Sequence, residues 1–413
     1  MIKSPTLQLL TFFLLVALKL IGQEQLKDQD SPIMLKGDWF VHSKEINFEK
    51  LPQIPLQRST VNDVRAIGTN HQTFKEAATS GGCNQHNYLT YYKGLYWCMW
   101  SDGPGVEDRV GQVVKYATSR DGLKWSNPKF ITDYPPNSAP GSPYYNTRNK
   151  NGFRWISRGF WQRDGELLAL ASLDEAAEFF GPSLQLRAFH WVEKLKRWED
   201  FGLVSNNTIN NFSPEKLSTG EWLLSRRTYD YKTRGVDFLV GGTKNINEWQ
   251  SFPVFGSASE LEAEEPFWWI LPDGISLMAL FRDNRKGGYL FRSFSSDNAR
   301  TWSHPVQTNF PDATSKFHGI RLKDGRYVLV SNPNPKQRDP LVLSVSDDGR
   351  TFTKMGYLVG GGRVEYPHMM EHKGYILIAY NSYIKQKIEV LKVRIADLDK
   401  LDMKSYSNLK IHN

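Results

Sequence analysis

The feature that most constrains this chain is a short hairpin that recurs along it. In residues 317–332 an approach strand leads to the turn Lys323-Asp324-Gly325, and the alternating β-formers of residues 326–330 lead away. Asp-Gly between two such runs is a strong hairpin signal, because Gly adopts the positive φ that a tight turn requires. The turn glycines of all copies are Gly94, Gly165, Gly220, Gly274, Gly325 and Gly374. Their intervals of 71, 55, 54, 51 and 49 residues indicate an internal repeat.

A second marker follows the same period. Octets that end in an aromatic residue come after the hairpins, and they end at Trp125, Trp198, Trp249, Trp302 and Phe352. The intervals between these ends are 73, 51, 53 and 50 residues. Two independent markers on one period predict four-stranded repeats of the size of a propeller blade. We therefore expect an all-β propeller with six readable repeats. The N-terminal segment either lends a closing strand to the last blade or holds a divergent extra blade.

The first 22 residues have the pattern of a secretory signal. They combine Lys3, an apolar run over residues 9–18 and Gly22 at a suitable cleavage position. The run is short for a membrane span and Lys19 interrupts it, although an uncleaved anchor is the alternative. We expect a signal peptide at residues 1–22, a single propeller domain at residues 23–413, secreted or periplasmic localisation, and no membrane attachment after cleavage.

The net charge of the chain indicates which classes of partner it is suited to bind. A net charge of +8 and a pI near 9.1 suggest, for a secreted protein, an acidic partner such as a uronate or sulfated glycan, with ordinary solubility as the alternative. Nucleic acid is not expected, because no basic tail or nucleic-acid motif is present. No motif predicts a cofactor or a metal site. Cys83 and Cys98 share a hairpin in which Cys83 would face residue 104, so a disulfide is not favoured.

The starts of the approach strands carry polar residues at the repeat spacing. Counting from His86, intervals of 72, 54, 53, 53 and 50 residues lead to Arg158, Phe212, Glu265, His318 and His368. Innermost strands line the channel of a propeller, so these positions should ring one mouth. Converging titratable groups are a candidate active site, and a merely wet channel is the alternative. The predicted substrate-binding residues are Asn84, Tyr145, Glu265, Lys316, His318, Tyr366 and His368.

A long loop interrupts the period between the first two repeats. Residues 135–143 contain four prolines and are followed by Tyr144 and Tyr145. Long loops in compact folds often serve function. We expect this loop to reach over the mouth and present Tyr144 or Tyr145 to a ligand. The alternative is a packed surface loop.

The aromatic-ended octets resemble the Asp box of sialidase and BNR-repeat propellers, S-x-D-x-G-x-T-W. Residues 295–302 match it except at Ala299, and residues 347–352 keep the Asp, Gly and Thr. The resemblance implies that these boxes fold the turn between the two outer strands, away from the pocket. The F-R-I-P-like motif that supplies a carboxylate-binding arginine in sialidases has no counterpart here, which argues against a sialidase.

A closer resemblance covers nearly the whole mature chain. The stretches at residues 309–317, 324–327, 338–341 and 365–368 together resemble secreted bacterial propellers that attack rhamnose–uronate glycans. That group is similar to ulvan lyases and to rhamnosidases that remove rhamnose from glucuronate. The resemblance implies seven blades and an acidic oligosaccharide substrate.

For the lyases, the resemblance implies catalysis by His, Tyr and Arg. Elimination across C4 and C5 of a uronate requires a cation on the carboxylate, a base for the C5 proton and an acid for the leaving oxygen. The catalytic candidates are His86, Tyr144 and Arg158, with Arg158 forking onto the carboxylate. The second His of those lyases has no counterpart at residues 105–107, so the leaving group need not be a sugar. At a terminal glucuronate with a free 4-hydroxyl the same chemistry expels water, and the enzyme would then be a dehydratase.

Two other functions stay open. An exo-α-L-rhamnosidase would use a His on the opposite face, for which His42 and His71 are candidates. Ordinary sugar hydrolysis needs two carboxylates, such as Glu265 and Glu365 across the channel. A glycan-binding propeller without catalysis is the last alternative. The sequence favours elimination at a glucuronate of ulvan-like oligosaccharides.

Overall fold

The computed structural model describes residues 32–37, 40, 46–65, 82–105, 107–142, 152–175, 180–230, 235–255 and 261–403. The predicted signal segment and the candidates His42, His71, Tyr144 and Tyr145 lie outside these ranges. Within them, the chain forms six four-stranded antiparallel sheets and two short 3-10 helices, Phe48–Lys50 and Ile395–Lys400. No helix of the described ranges is long and apolar enough to cross a bilayer.

Each sheet is one blade, and its strands follow the chain from the inner edge outward. The first strand of the chain is β1 (Leu56–Asp63). Blade 1 consists of β2 (Gly82–Tyr92), β3 (Leu95–Pro104), β4 (Val113–Ser119) and β5 (Lys129–Phe130). Blade 2 consists of β6 (Phe153–Arg163), β7 (Glu166–Glu175), β8 (Gln185–Val192) and β9 (Arg197–Asn206). Blade 3 consists of β10 (Glu215–Lys216), β11 (Trp222–Arg226), β12 (Val236–Gly241) and β13 (Trp249–Phe255).

The second half of the ring repeats this order. Blade 4 consists of β14 (Ala263–Ile270), β15 (Leu277–Asp283), β16 (Tyr289–Ser295) and β17 (Val306–Pro311). Blade 5 consists of β18 (His318–Arg321), β19 (Tyr327–Ser331), β20 (Leu341–Ser346) and β21 (Lys354–Val359). Blade 6 consists of β22 (Val364–His372), β23 (Tyr375–Ser382) and β24 (Lys387–Arg394), with β1 as its outermost strand.

The N-terminal segment closes the ring instead of forming a seventh blade. Strand β1 pairs antiparallel with β24, from Leu56 opposite Val393 to Asp63 opposite Lys387. Blade 6 then packs directly against blade 1 through a shared apolar cluster that includes Leu89. The expectation of seven blades is therefore wrong for this chain, and the closing-strand alternative is confirmed. Upstream of β1 the chain runs beside outer strands. There Asn309 Oδ1 accepts a hydrogen bond from the backbone N–H of Met34 at 2.7 Å.

The repeat markers have the structural roles that the sequence predicts. All six turn glycines connect the first and second strands of a blade with φ between +76° and +96°. The Asp boxes form turns between third and fourth strands. Asp297 Oδ1 accepts the amides of Arg300 at 3.0 Å and Thr301 at 2.9 Å. Ala299 takes the glycine position of this box at φ +69°.

Cys83 faces Gly103 rather than Cys98, and both thiols are free and buried.

Aromatic rings from five blades fill the centre of the ring. They are Tyr88, Phe212, Phe267, His318 and His368, with neighbouring centroids 4.2 to 5.3 Å apart. Blade 2 contributes Gly159 instead. A Cβ there would lie 2.4 Å from Ser213 Oγ and 3.4 Å from the ring of Tyr88. The backbone of blade 2 therefore approaches the axis closely, and the packed rings form a floor beneath one mouth of the channel.

Candidate functional site

β-Bulges at the starts of three inner strands shape this mouth. The pairing of β2, β14 and β22 with their neighbours breaks at equivalent places, and each break holds one residue in the left-handed region. These residues are His86 (φ 51°), Glu265 (φ 51°) and Tyr366 (φ 58°). Such backbone is costly for residues other than Gly, and bulges of this kind re-aim a side chain next to functional sites. Pro266 and Pro367 follow two of the bulged residues. Proline has no N–H to donate to a neighbouring strand, so within a sheet it is expected at bulges of this kind.

The bulges correct one equivalence that the spacing suggested. His86 corresponds to Glu265 and Tyr366, whereas His368 lies two residues beyond its bulge, at the level of Tyr88. His318 and His368 stack with centroids 4.2 Å apart in the floor. Their Nδ1 atoms accept backbone amides, from Met369 at 3.0 Å and from Leu89 at 3.1 Å. These two histidines join adjacent blades, and their substrate contact stays a prediction.

Glu265 is held as an anion on the blade 4 side of the mouth. Arg282 Nη1 donates to its Oε2 at 2.7 Å, and Asn211 Nδ2 donates to its Oε1 at 3.2 Å. Burial raises the pKa of Glu265, but the charges of Arg282 and Arg227 outweigh burial, and the net pKa lies below the usual value. The neighbouring Glu264 accepts hydrogen bonds from Arg227 Nη1 at 2.9 Å and from Arg282 Nη2 at 3.5 Å.

Tyr366 lies among cations. The Lys385 ammonium is 4.4 Å from the centre of its ring, and the Arg338 guanidinium is 5.3 Å from it. Arg338 also pairs with Glu365, the residue before Tyr366. Burial opposes ionisation of Glu365, yet Lys385 and Arg338 lower its pKa to about 2.

A third carboxylate reaches the same place from blade 1. Glu107, in the loop after β3, forms an ion pair with Lys385 and keeps a side-chain exposure of 35%. It is therefore the more accessible acid of the mouth, since the side chains of Glu265 and Glu365 are 5% and 0% exposed. Lys385 thus stands between Glu107 and the ring of Tyr366.

The candidates from blades 1 and 2 lie on the other side of Tyr366. His86 stacks on Tyr366 with centroids 5.6 Å apart. Its Nδ1 is buried without a hydrogen-bond partner in the described structure. Burial, followed by the charges of Arg158 and Lys316, holds the pKa of His86 well below its usual value, so the imidazole is neutral.

Arg158 is buried at the start of blade 2. Its Nε donates to Ser172 Oγ at 2.8 Å, and its guanidinium lies 5.5 Å from the ring centre of Phe180. Nη2 has no hydrogen-bond partner among the described residues. Burial lowers the pKa of Arg158 to about 10.

Lys316 and Asn84 complete the predicted set. Lys316 Nζ donates to Tyr88 Oη at 3.1 Å and lies 4.2 Å from that ring, above the aromatic floor. Burial lowers the pKa of Lys316 to about 7. Asn84 is instead part of the seam between blades 6 and 1, because its Nδ2 donates to the carbonyl of Gln386 at 3.1 Å. Its predicted contact with substrate is not tested by this placement.

Sequence reasoning missed four charged residues of the mouth, which are Glu107, Arg282, Arg338 and Lys385. A signal existed for Arg282, because folding the hairpin about Gly274 brings it opposite Glu264. The other three lie in loops, where no periodicity locates a side chain. In the described part of the chain, no group of three or more His, Cys, Asp or Glu residues could hold a metal ion.

Comparisons with known proteins agree with this architecture. The sequence profile of the BNR repeat-like domain family matches residues 97–378. A search of curated proteins found no match. A protein of unknown function from Dyadobacter fermentans has a similar structure, with a TM-score of 0.60, 16% identity, and coverage of 82% of this chain and 99% of that one.

Sialidase structures are similar as well. The leech intramolecular trans-sialidase gives a TM-score of 0.63 at 12% identity, with coverage of 83% of this chain and 71% of that one. The NanB sialidase of Streptococcus pneumoniae gives a TM-score of 0.60 at 12% identity and the same coverage. At these identities the likeness shows the fold alone.

Proposed function

The chain belongs to the BNR repeat-like domain family, and we propose that it is a glycoside hydrolase for an acidic sugar, with Tyr366 as its nucleophile. The observation that carries this proposal is the position of Tyr366, which a strained bulge holds between Arg338, Lys385 and the Glu265–Arg282 pair. Sialidases, which share the fold, are glycosidases that use a Tyr nucleophile. Proteins with this propeller therefore include enzymes that carry out the proposed reaction.

Four charged groups of the mouth have a role in this reaction: Arg282, Arg338, Glu265 and Glu107. Arg282 and Arg338 bind the carboxylate of the sugar, because a guanidinium forks onto two oxygens. Arg282 also holds Glu265 in place: burial lowers the pKa of Arg282, but the charge of Glu265 outweighs burial and keeps that pKa above its usual value. Glu265, already ionised, accepts the phenolic proton as Tyr366 attacks the anomeric carbon.

Glu107 completes the first step as the acid, and for this it leaves its ion pair with Lys385 and carries a proton taken up from solvent. It protonates the departing glycosidic oxygen while the bond from that oxygen to the anomeric carbon breaks and the bond to Tyr366 Oη forms. Water, deprotonated by Glu107, then attacks the same carbon, the bond from that carbon to Tyr366 Oη breaks, and Glu265 returns its proton to the phenolate. The inner strand of blade 1 carries Gln85 and His86 and no arginine, so the substrate is an acidic sugar and not sialic acid in particular.

Trapping the covalent intermediate tests this proposal. The protein is incubated with ring-fluorinated glycosyl fluorides of sialic acid and of glucuronic acid, which slow the second step, and is then digested and analysed by mass spectrometry. A label on Tyr366 is expected with one of them. Turnover of the matching aryl glycoside without any label on Tyr366 would contradict the assignment. As the matched control, the labelling is repeated with Tyr383→Phe. This variant lacks a different tyrosine of the same blade, one that contacts Arg65.

Elimination at a uronate is the second candidate, and one observation favours it. The neutral His86, with an unpartnered Nδ1, is close to the Arg158 guanidinium, and Tyr366 stacks on it. In this reaction Arg158 binds the carboxylate, His86 removes the C5 proton, the bond from C4 to its oxygen breaks, and Tyr144 or Tyr366 protonates that oxygen. The substrate would be an ulvan-like oligosaccharide, with water as the leaving group at a terminal glucuronate.

The two reactions leave different products. Elimination produces a conjugated 4,5-unsaturated uronate with ultraviolet absorbance, whereas hydrolysis does not. Ulvan oligosaccharides ending in rhamnose or in glucuronate are the substrates for this measurement. A rise in absorbance that His86→Ala and Arg158→Ala abolish would favour elimination. Release of free rhamnose without any rise would favour the rhamnosidase alternative.

Export is part of the proposal. We propose that residues 1–22 direct the chain to the periplasm or the outside of the cell, where acidic glycans are accessible. The mass of the protein recovered from the culture medium or periplasm tests this, since cleavage after Gly22 fixes the mature mass. An uncleaved chain retained with membranes would contradict it.

A further inference from the structure

We infer that the carboxylate of the substrate replaces Glu107 on Lys385, and that this exchange converts Glu107 into the acid of the reaction. Before the exchange, the ion pair keeps Glu107 ionised and unable to donate a proton. After it, the displaced Glu107 takes up one proton from solvent. Lys385 is then the residue that restricts turnover to acidic sugars. This inference rests on the proposed hydrolase site and states how that site responds to its substrate.

The two partners of this ion pair differ in how freely they can move. The side chain of Glu107 is 35% exposed, whereas that of Lys385 is 1% exposed. Glu107 lies in the loop after β3, and its carboxylate has no other hydrogen-bond partner in the described part of the chain. A loop side chain with one partner and access to solvent can turn away from that partner. Glu107 is therefore the group that moves, and Lys385 is the group that stays.

A strained turn holds Lys385 in place. Three consecutive residues between β23 and β24 have left-handed backbone, namely Tyr383 (φ 50°), Ile384 (φ 52°) and Lys385 (φ 64°). Such backbone is unfavourable for residues other than Gly and persists only where the surrounding structure determines it. The backbone N–H of Asn84 donates to the carbonyl of Lys385 at 2.6 Å, and the Arg65 guanidinium lies 3.9 Å from the centre of the Tyr383 ring. These contacts keep the ammonium in the mouth when its partner leaves.

Lys385 needs a replacement before it can lose its partner. Burial lowers the pKa of Lys385, whereas the charge of Glu107 contributes most to raising it, and the net pKa lies above the usual value. Glu365 also lies nearby, but it accepts a hydrogen bond from Arg363 Nε at 2.8 Å and forms an ion pair with Arg338. A buried ammonium whose partner has left is strongly unfavourable. The ion pair with Glu107 should therefore persist until another anion reaches Lys385.

An anion that replaces Glu107 lies beside the proposed nucleophile. Lys385 Nζ is 4.4 Å from the centre of the Tyr366 ring, and the Arg338 guanidinium is 5.3 Å from the same point. A sugar carboxylate held by Arg338 can therefore also meet Lys385.

The exchange accounts for the proton that the reaction requires. The displaced Glu107 has lost its cation and faces the bound carboxylate, and a carboxylate next to a like charge favours the protonated form. One proton is taken up from solvent for each sugar acid that binds. Glu107 then gives this proton to the departing glycosidic oxygen.

Neutral sugars should bind without starting the reaction. The carboxamide of the sugar acid has the same shape but no charge for Lys385, so Glu107 stays in its ion pair. The phenyl glycoside of this carboxamide is expected to have a kcat at least about 100-fold below that of the acid, because general acid catalysis contributes about 10²- to 10⁴-fold.

Calorimetry tests the exchange without any turnover. Glucuronate and N-acetylneuraminate are titrated into the protein at about pH 6 in two buffers with different ionisation enthalpies, which gives the number of protons taken up for each anion bound. Wild-type protein should take up about one proton and Glu107→Gln none. Glu107→Gln should also bind the anion at least about tenfold more tightly, because no carboxylate has to be displaced.

Two further variants serve as controls. Lys385→Arg keeps the cation and should take up the proton as wild-type protein does. Glu193→Gln breaks a Glu–Lys pair of the same kind with Lys196, which is exposed on blade 2, and should change neither affinity nor proton uptake.

The outcomes separate the exchange from the proposed function. Equal proton uptake by Glu107→Gln and wild-type protein, with thermal unfolding showing a folded variant, would overturn the exchange. Binding of neither sugar acid, or binding without proton uptake, would overturn it too, even if acidic glycosides are hydrolysed. Proton uptake that is lost in Glu107→Gln, together with no hydrolysis of any acidic glycoside, would support the exchange and reject the hydrolase.

Discussion

Arg282 and Glu265 form a buried ion pair in which Nη1 donates to Oε2 at 2.7 Å, and the charge of Arg282 lowers the pKa of Glu265 and keeps it ionised. The two residues come from neighbouring strands of blade 4. Arg282 lies opposite Glu264 in the ladder, and the bulge at Glu265, the next residue, shifts the register by one position. Glu264 shares the environment but bonds to Arg227. In the proposed reaction Glu265 is the base for Tyr366, whereas Glu264 binds Arg227 at 2.9 Å and Arg282 at 3.5 Å.

Glu265→Gln should therefore lower kcat by about 10²- to 10⁴-fold, the usual contribution of a positioned general base. Glu264→Gln removes a buried charge of the same kind and serves as the control, with less than about tenfold loss expected. Initial rates with aryl glycosides of acidic sugars measure both. Equal losses in the two variants would show that the effect is electrostatic and that Glu265 has no distinct role.

Tyr366→Phe should abolish turnover, by at least about a thousandfold, because it removes only the nucleophilic oxygen and keeps the ring that packs on His86. Binding of the acidic sugar should persist, since Arg282 and Arg338 are unchanged. Rates and calorimetric titration of the product sugar check the two statements. Full activity in this variant would reject the hydrolase mechanism.

Lys316→Met should stabilise the fold below neutral pH. The pKa of Lys316 in the folded state is about 7, below its ordinary 10.5, so the unfolded chain binds more protons between these values. Wild-type stability should rise with pH across this window, by up to about 1.4 kcal/mol for each pH unit. Below pH 7 Lys316 is charged in both the folded and the unfolded state, so the full free-energy cost of burying its charge lowers the stability there.

Thermal or denaturant unfolding of both proteins from pH 6 to pH 9 measures this effect. The variant should be more stable at pH 6, and the advantage should shrink as the pH rises. A stability difference that does not change with pH would contradict the prediction.

Gly159→Ala should destabilise the protein more than Gly165→Ala. Both glycines have positive φ, +114° and +82°, so both variants carry a backbone cost of about 1 to 2 kcal/mol. A Cβ at position 165 meets nothing within 4 Å, whereas one at position 159 collides with Ser213 Oγ. Denaturant unfolding should show an additional loss of about 1 to 3 kcal/mol for Gly159→Ala. Equal losses would mean that blade 2 can move away from the axis.

The repeat and the blade boundaries follow from the sequence because hairpin turns need specific residues at a fixed spacing. Gly274 and its equivalents mark every turn between first and second strands. The number of blades does not follow in the same way. A closing strand and the first strand of an extra blade have the same local pattern, and only the pairing of β1 with β24 distinguishes them.

The placement of the candidate residues was predictable in part. Spacing brings His86, Arg158 and Glu265 to one mouth, but it also groups them with His318 and His368, which lie in the floor. The bulges shift the register, and the residue count alone does not reveal them. The dipeptides Glu265-Pro266 and Tyr366-Pro367 are the sequence signal for two of these bulges, because proline in an inner strand requires a broken ladder.

The pairing of β1 with β24 has a consequence for the order in which the molecule assembles. Arg58 and Glu389, which form an ion pair across this seam, are separated by 331 residues of chain. Blade 6 therefore stays one strand short, with an exposed sheet edge, until both ends of the propeller have been synthesised. Contacts between residues so far apart in the chain slow folding. Until they form, the unpaired strand edge of blade 6 is available to pair with strands of other chains. A chain cut between residue 63 and residue 82 could still form the ring if the released strand reassociates, so the two pieces together should behave as a complementing pair.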